Sequence, residues 1–182
     1  SRGLGDVYKR QAVSRLDREK LIDPDQFRIQ WYVDAGSKAI IMQAATAYPV
    51  ARYMDFFDYV PASEIPGVLN RSSILLQLAN TFASNGPKGF MTTKLFESMA
   101  VEKPLLCVKS DESYLEATIR ITRSGLAART TEEAYRFILH HYQFWQDNGY
   151  THINTDKEAV ERFSRKKQAE QFMRIFTRLN SK

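Results

Sequence analysis

One cysteine stands in the whole chain, which rules out an internal disulfide framework. Cys107 lies in an apolar run and reads as a buried core residue of a reducing compartment, so the expected location is cytoplasmic. No apolar run approaches the length of a bilayer span, and no signal-peptide pattern is present. Histidine is nearly as scarce. His140 and His141 fall on a helical pattern with no cysteine or acid at metal-ligand spacing, and His152 is isolated, so all three read as packing or surface residues. No Ser-His-Asp or Cys-His arrangement can be assembled, and the catalytic residues stay unassigned. Internal repeats and low-complexity linkers are missing too.

What is present suits one globular domain: 182 residues, 43% hydrophobic and 26% charged. The N-terminal end reads differently. Asp6-Val-Tyr-Lys-Arg-Gln11 coincides with the translation of a transposon end used in preparing sequencing libraries, so residues 1–11 are expected to be an artefact. The domain is then residues 12–182, expected to be incomplete at its N-terminus. Setting aside Arg2, Lys9, Arg10 and Asp6 lowers the net charge of +5 by two, and the motive for a nucleic-acid partner goes with it.

In chain order, Val13, Leu16 and Leu21 predict the tail of a helix stopped by Asp23-Pro24-Asp25. Phe27, Ile29, Trp31 and Val33 alternate as a strand ended by Asp34-Ala-Gly36. Ser37 to Tyr48 is helix material closed by Pro49. Met54 to Val60 is a second strand, and a short helix with a cap near Ser63 leads to a third, Ile74 to Ala79. Leu105 to Val108 is an unbroken apolar run, the mark of a strand buried on both faces. Asp111 to Thr122 predicts a helix, and Leu126 to Arg129 a short strand. Thr130-x-x-Glu133 is a capping box ahead of a helix ended by Gly149. Thr155 and Glu158 repeat that pattern before a long basic helix broken near Ser164. Strands alternate with helices throughout, which predicts an α/β fold, a Rossmann-like doubly wound parallel sheet.

The stretch from Asn80 to Pro104 organises the rest. A strand leads through a turn on Gly86, Pro87 and Gly89 into a helix whose first turn carries Thr92, Thr93 and Lys94. In a parallel sheet that helix N-terminus sits at the carboxyl edge, where its free N–H groups and partial positive charge favour a phosphate. Lys88, Gly89 and Phe90 belong to the loop that would cradle it. Glu97, three residues after Lys94 on the same helix, offers a carboxylate to a sugar hydroxyl.

The run Thr-Lys-Leu-Phe-Glu-Ser-Met-Ala-Val-Glu-Lys-Pro-Leu-Leu-Cys-Val, residues 93–108, resembles the signature of the C-terminal, nucleotide-sugar-binding domain of retaining GT-B glycosyltransferases of the group 1 type. That family carries a Glu, seven residues, then a second Glu, followed by Gly-Lys-Pro and a strand. Glu97 matches the second Glu, which holds the nucleotide ribose in the family. The first falls at Gly89, a departure shared by many relatives with the Lys-Leu-Phe-Glu form. The resemblance covers most of the chain in element order and is motif-specific only over Thr92 to Val108.

The resemblance implies a UDP or GDP sugar as donor, transferred with retention to a glycan or lipid-linked acceptor, with no metal or other cofactor. It places Val60 and Pro61 beside the base. It also implies a further strand and a basic loop upstream, so this chain alone is expected to bind nucleotide weakly and transfer nothing. The cluster Arg162, Arg165, Lys166, Lys167, Arg174 and Arg178 reads as a solvated helix face, with contact to a membrane surface as its alternative. Two rival functions stay open: a UDP-sugar epimerase of the same fold, and a non-catalytic α/β nucleotide-binding module.

Overall fold

The computed structural model describes residues 4–78, 92–108 and 113–180. Leu105–Val108 (β4) is the centre of the architecture. Its four side chains are at most 1% exposed and alternate between two apolar clusters, Leu106 and Val108 in one, Leu105 and Cys107 in the other. β4 pairs in parallel with Leu75–Leu78 (β3) on one side and Gly125–Ala128 (β5) on the other. Cys107 is therefore a core residue, and the unbroken apolar run means what the sequence suggested: a strand covered on both faces. Each such side chain contributes about 1.5 to 3 kcal/mol on burial, more than any surface ion pair, worth about 0 to 1 kcal/mol.

Two helices cover one face of this sheet. Leu4–Arg18 (α1) buries Ala12, Val13 and Leu16, and Thr131–Asn148 (α6) buries Ala134, Tyr135 and Ile138. Thr93–Ala100 (α4) and Ser113–Thr122 (α5) cover the other with Leu95, Met99, Leu115 and Ile119, joined at the margin by Lys157–Glu161 (α7). The remaining strands, Ile29–Tyr32 (β1) and Met54–Phe57 (β2), pair in parallel with each other in a separate two-stranded sheet. Ala35–Ala45 (α2) connects them, and Ile65–Arg71 (α3) leads on to β3. Arg165–Asn180 (α8) ends the described chain. The fold is thus α/β with parallel strands, but among the described residues they form two small sheets where one was expected. Side chains join the halves: α1 shares its cluster with Ala45, Val50, Tyr53 and Met54 on one side and with Leu106, Val108 and Ala128 on the other.

Several local details differ from expectation. α1 ends at Arg18, ahead of the predicted stop, with Lys20 at a positive φ of 57°. Lys9 and Arg10 are buried within it, Lys9 with its ammonium 4.2 Å from the Trp31 ring centre. Asp34 is a helix cap: its carboxylate accepts hydrogen bonds from the Ser37 N–H at 2.8 Å and hydroxyl at 2.9 Å. α3 starts after Glu64, with no side-chain cap and Pro66 in its first turn, so Ser63 is not its cap. α7 is capped by Asp156, which accepts from the Ala159 N–H at 3.0 Å, one residue beyond Thr155. The capping box of α6 and its left-handed Gly149 terminus are both formed.

His141, on α6, is buried against the Phe137 ring, with its Nδ1 lacking a hydrogen-bond partner. Burial, and secondarily His140, pushes its pKa down to about 4. The unfolded chain takes up this proton near the ordinary value of about 6.5, before the native state does. Stability is therefore nearly complete above pH 6.5 and lost as pH falls toward 4, by at most about 3 kcal/mol. Urea titrations across that window should show the loss, and His141→Phe should flatten it. An unchanged pH slope in the variant would assign the acid sensitivity elsewhere.

Candidate functional site

α4 carries the residues of interest because its two sides have different tasks. Leu95, Ser98 and Met99 are buried, whereas Thr93, Lys94 and Glu97 are exposed. The parallel pairing of β3 and β4 makes α4 the return crossover, so its N-terminus lies at the carboxyl edge of the sheet. Thr92 is the N-cap in extended conformation and its hydroxyl accepts no capping hydrogen bond. Among the described residues Glu97 has no hydrogen bond or ion pair.

α7 and the turn into α8 stand beside α4. Asp156 holds α7 in place through its cap and through Arg123, 3.2 Å away, while its own N–H donates to the Thr122 carbonyl at 2.8 Å. Those contacts hold its carboxyl below the usual carboxylate range, the Ala159 N–H first and Arg123 second. Phe96 stacks on Phe163 at 5.9 Å, and Lys157 pairs with Glu102 at 3.0 Å. Between these contacts lies a groove of about 630 Å³ lined by Thr93 and Glu97 from α4 and by Lys157, Glu161 and Arg165 opposite. It offers carboxylates, two cations and the hydroxyls of Thr93, Thr155 and Ser164 over an apolar floor, which suits a polar ligand with hydroxyl groups.

The structure therefore brings Thr93 and Glu97 to one groove. Lys94 is exposed on α4 but does not line that groove. Val60 is half-buried and Pro61 exposed, three and four residues past the end of β2, which stops at Phe57 rather than Val60. Lys88, Gly89 and Phe90, with the Gly86-Pro87 turn, lie outside the described residues. The groove partners Lys157, Glu161 and Arg165 were not foreseen, and no local motif marks them. His140 and His152 are exposed.

Compared with protein-family models, with curated proteins and with solved structures, the chain matches none.

Proposed function

We propose that this chain binds a nucleotide-activated sugar, a UDP or GDP sugar, as the donor half of a retaining GT-B glycosyltransferase. The observation that carries the reading is an exposed, unpaired Glu97 on a helix that starts at the carboxyl edge of a parallel sheet, with Thr93 beside it. Glu97 accepts hydrogen bonds from the ribose hydroxyls. The N–H groups at the start of α4 and the Lys94 ammonium stabilise the diphosphate as the anomeric bond breaks.

Topology supports the same reading. The doubly wound order 3-2-1-4-5-6 loses its first strand to leave 3-2 and 4-5-6, and the pairings here are β2-β1 and β3-β4-β5. The other common order, 2-1-3-4-5, requires β1 bonded to β3, a pairing absent among the described strands. A parallel strand placed between β1 and β3 would complete one sheet and bring the ends of β2 and β3 to a common edge, with Val60 and Pro61 on the same side as α4.

Calorimetric titration of UDP, GDP and their sugar conjugates into the chain tests this. One nucleotide should bind saturably, and Glu97→Ala should weaken it by about 1 to 3 kcal/mol, the scale of a lost charged hydrogen bond. A folded Glu97→Ala protein with undiminished affinity would favour a nucleotide-binding module that does not use this carboxylate. Inversion of the donor sugar without an acceptor would favour an epimerase.

A further inference from the structure

α8 is stranded. Every residue from Gln171 to Leu179 is exposed, so this part of the helix buries no side chain of its own among the described residues. Yet it is strongly two-sided. Ala169, Phe172, Met173, Phe176 and Leu179 recur at three- and four-residue spacing and share one face, flanked by Ile175. The large ones are 54 to 65% exposed. The opposite side carries Lys167, Arg174 and Arg178, and Lys166 stands at one border of the apolar arc. Five cations, Arg165, Lys166, Lys167, Arg174 and Arg178, face a single carboxylate, Glu170, paired to Lys167 at 3.0 Å.

Isolated apolar residues on a surface need no partner, but a continuous stripe of this size does. No helix among the described residues is long and apolar enough to cross a membrane. Sixteen residues of helix span about 24 Å, which suits a segment lying flat in the headgroup layer. There, phenylalanine, methionine and leucine enter the acyl boundary, Lys166 at its border meets lipid phosphates, and the remaining cations add long-range attraction to an anionic surface. A protein groove would need acidic rims to take both features; an anionic bilayer surface takes the stripe and the charge together by its ordinary composition.

We infer that α8 is an in-plane anchor for an anionic lipid surface. Arg165 at the start of α8 also lines the groove on α4, but the stripe from Phe172 to Leu179 lies outside it, and the inference does not depend on the nucleotide-sugar reading.

Co-sedimentation of the full chain with phosphatidylcholine vesicles, and with vesicles containing about one-third phosphatidylglycerol, tests it. Binding to the anionic vesicles should be at least ~10-fold tighter and should fall as salt is raised. The double variant Phe172→Ser/Phe176→Ser should lose most of it. Lys166→Glu/Arg174→Glu should abolish the preference for anionic lipid. Because α8 is exposed, the variants should keep the parent's thermal midpoint, and that control separates lost anchoring from lost folding. Equal partition onto both vesicle types, or full binding by the double Phe variant, would overturn the inference. So would a dimer seen by light scattering that the Phe variant dissolves, since a second copy would then be the occupant.

Discussion

Gly125→Ala is expected to destabilise the protein by about 3 kcal/mol or more, at the top of the range for overpacking. Gly125 opens β5 directly opposite Leu105 in the parallel register. A Cβ there would stand 1.8 Å from the Leu105 carbonyl oxygen, 2.6 Å from its carbon and 2.8 Å from its nitrogen. All three are backbone atoms, so no rotamer change relieves the overlap. β5 must withdraw from β4, taking with it the hydrogen bond from the Leu105 N–H to the Ser124 carbonyl, 3.0 Å long. Urea unfolding measures the cost, with Gly67→Ala as the contrast. Gly67 lies on α3, where an added Cβ meets only the Arg71 guanidinium at 3.4 Å, so the change should be neutral or stabilising by up to about 1 kcal/mol. A Gly125→Ala loss under about 1 kcal/mol would show that this register is wrong.

The second large effect belongs to Leu95→Ala, expected to cost about 2 to 5 kcal/mol. Leu95 is fully buried and fixes α4 on the sheet beside Met99, Leu105, Cys107, Leu115 and Ile119. Truncation leaves a void that the rigid β4 backbone cannot collapse to fill. Leu95→Met keeps the volume and should cost less than about 1.5 kcal/mol. The pair also bears on function. Nucleotide affinity should fall in the alanine variant and return in the methionine one if α4 presents the binding groups. A destabilised Leu95→Ala protein, measured where it remains folded, that binds nucleotide as tightly as the parent would separate α4 from the site.

Elements whose causes are local were legible in the sequence. α6 announces itself through Thr130, Glu133 and Gly149, each of which acts on its own turn of helix. β4 is legible because four consecutive apolar residues in a strand need apolar cover on both sides. Features that depend on meeting a distant partner were not. Asp34 is a local exception: it read as the end of a strand, although it caps α2 by accepting from Ser37 only three residues on. Asp156 and Thr155 are neighbouring residues with similar capping ability, and the contact with Arg123 supports the former. The division into two sheets is a matter of which strand edges meet, on which side-chain periodicity is silent. The candidate site splits the same way. Glu97 and Thr93 could be found from spacing on one helix, while Lys157, Glu161 and Arg165 reach the groove only through the packing of α7 and α8.

The division of the strands has a mechanical consequence. Within β3-β4-β5, and within β1-β2, backbone hydrogen bonds lock neighbours in register. Between the two sets no ladder forms among the described residues, and the joint is side-chain packing centred on Ala12, Val13 and Leu16, reinforced by side-chain contacts of Asp17 with Arg52 and Tyr53, of Arg15 with Glu132, and of Tyr142 with Gln26. Ladders resist sliding because each step breaks bonds, whereas packed side chains accommodate small shear without repacking. The described chain is therefore held by ladders inside each half and by side-chain contacts along one seam, and α1 lies in that seam.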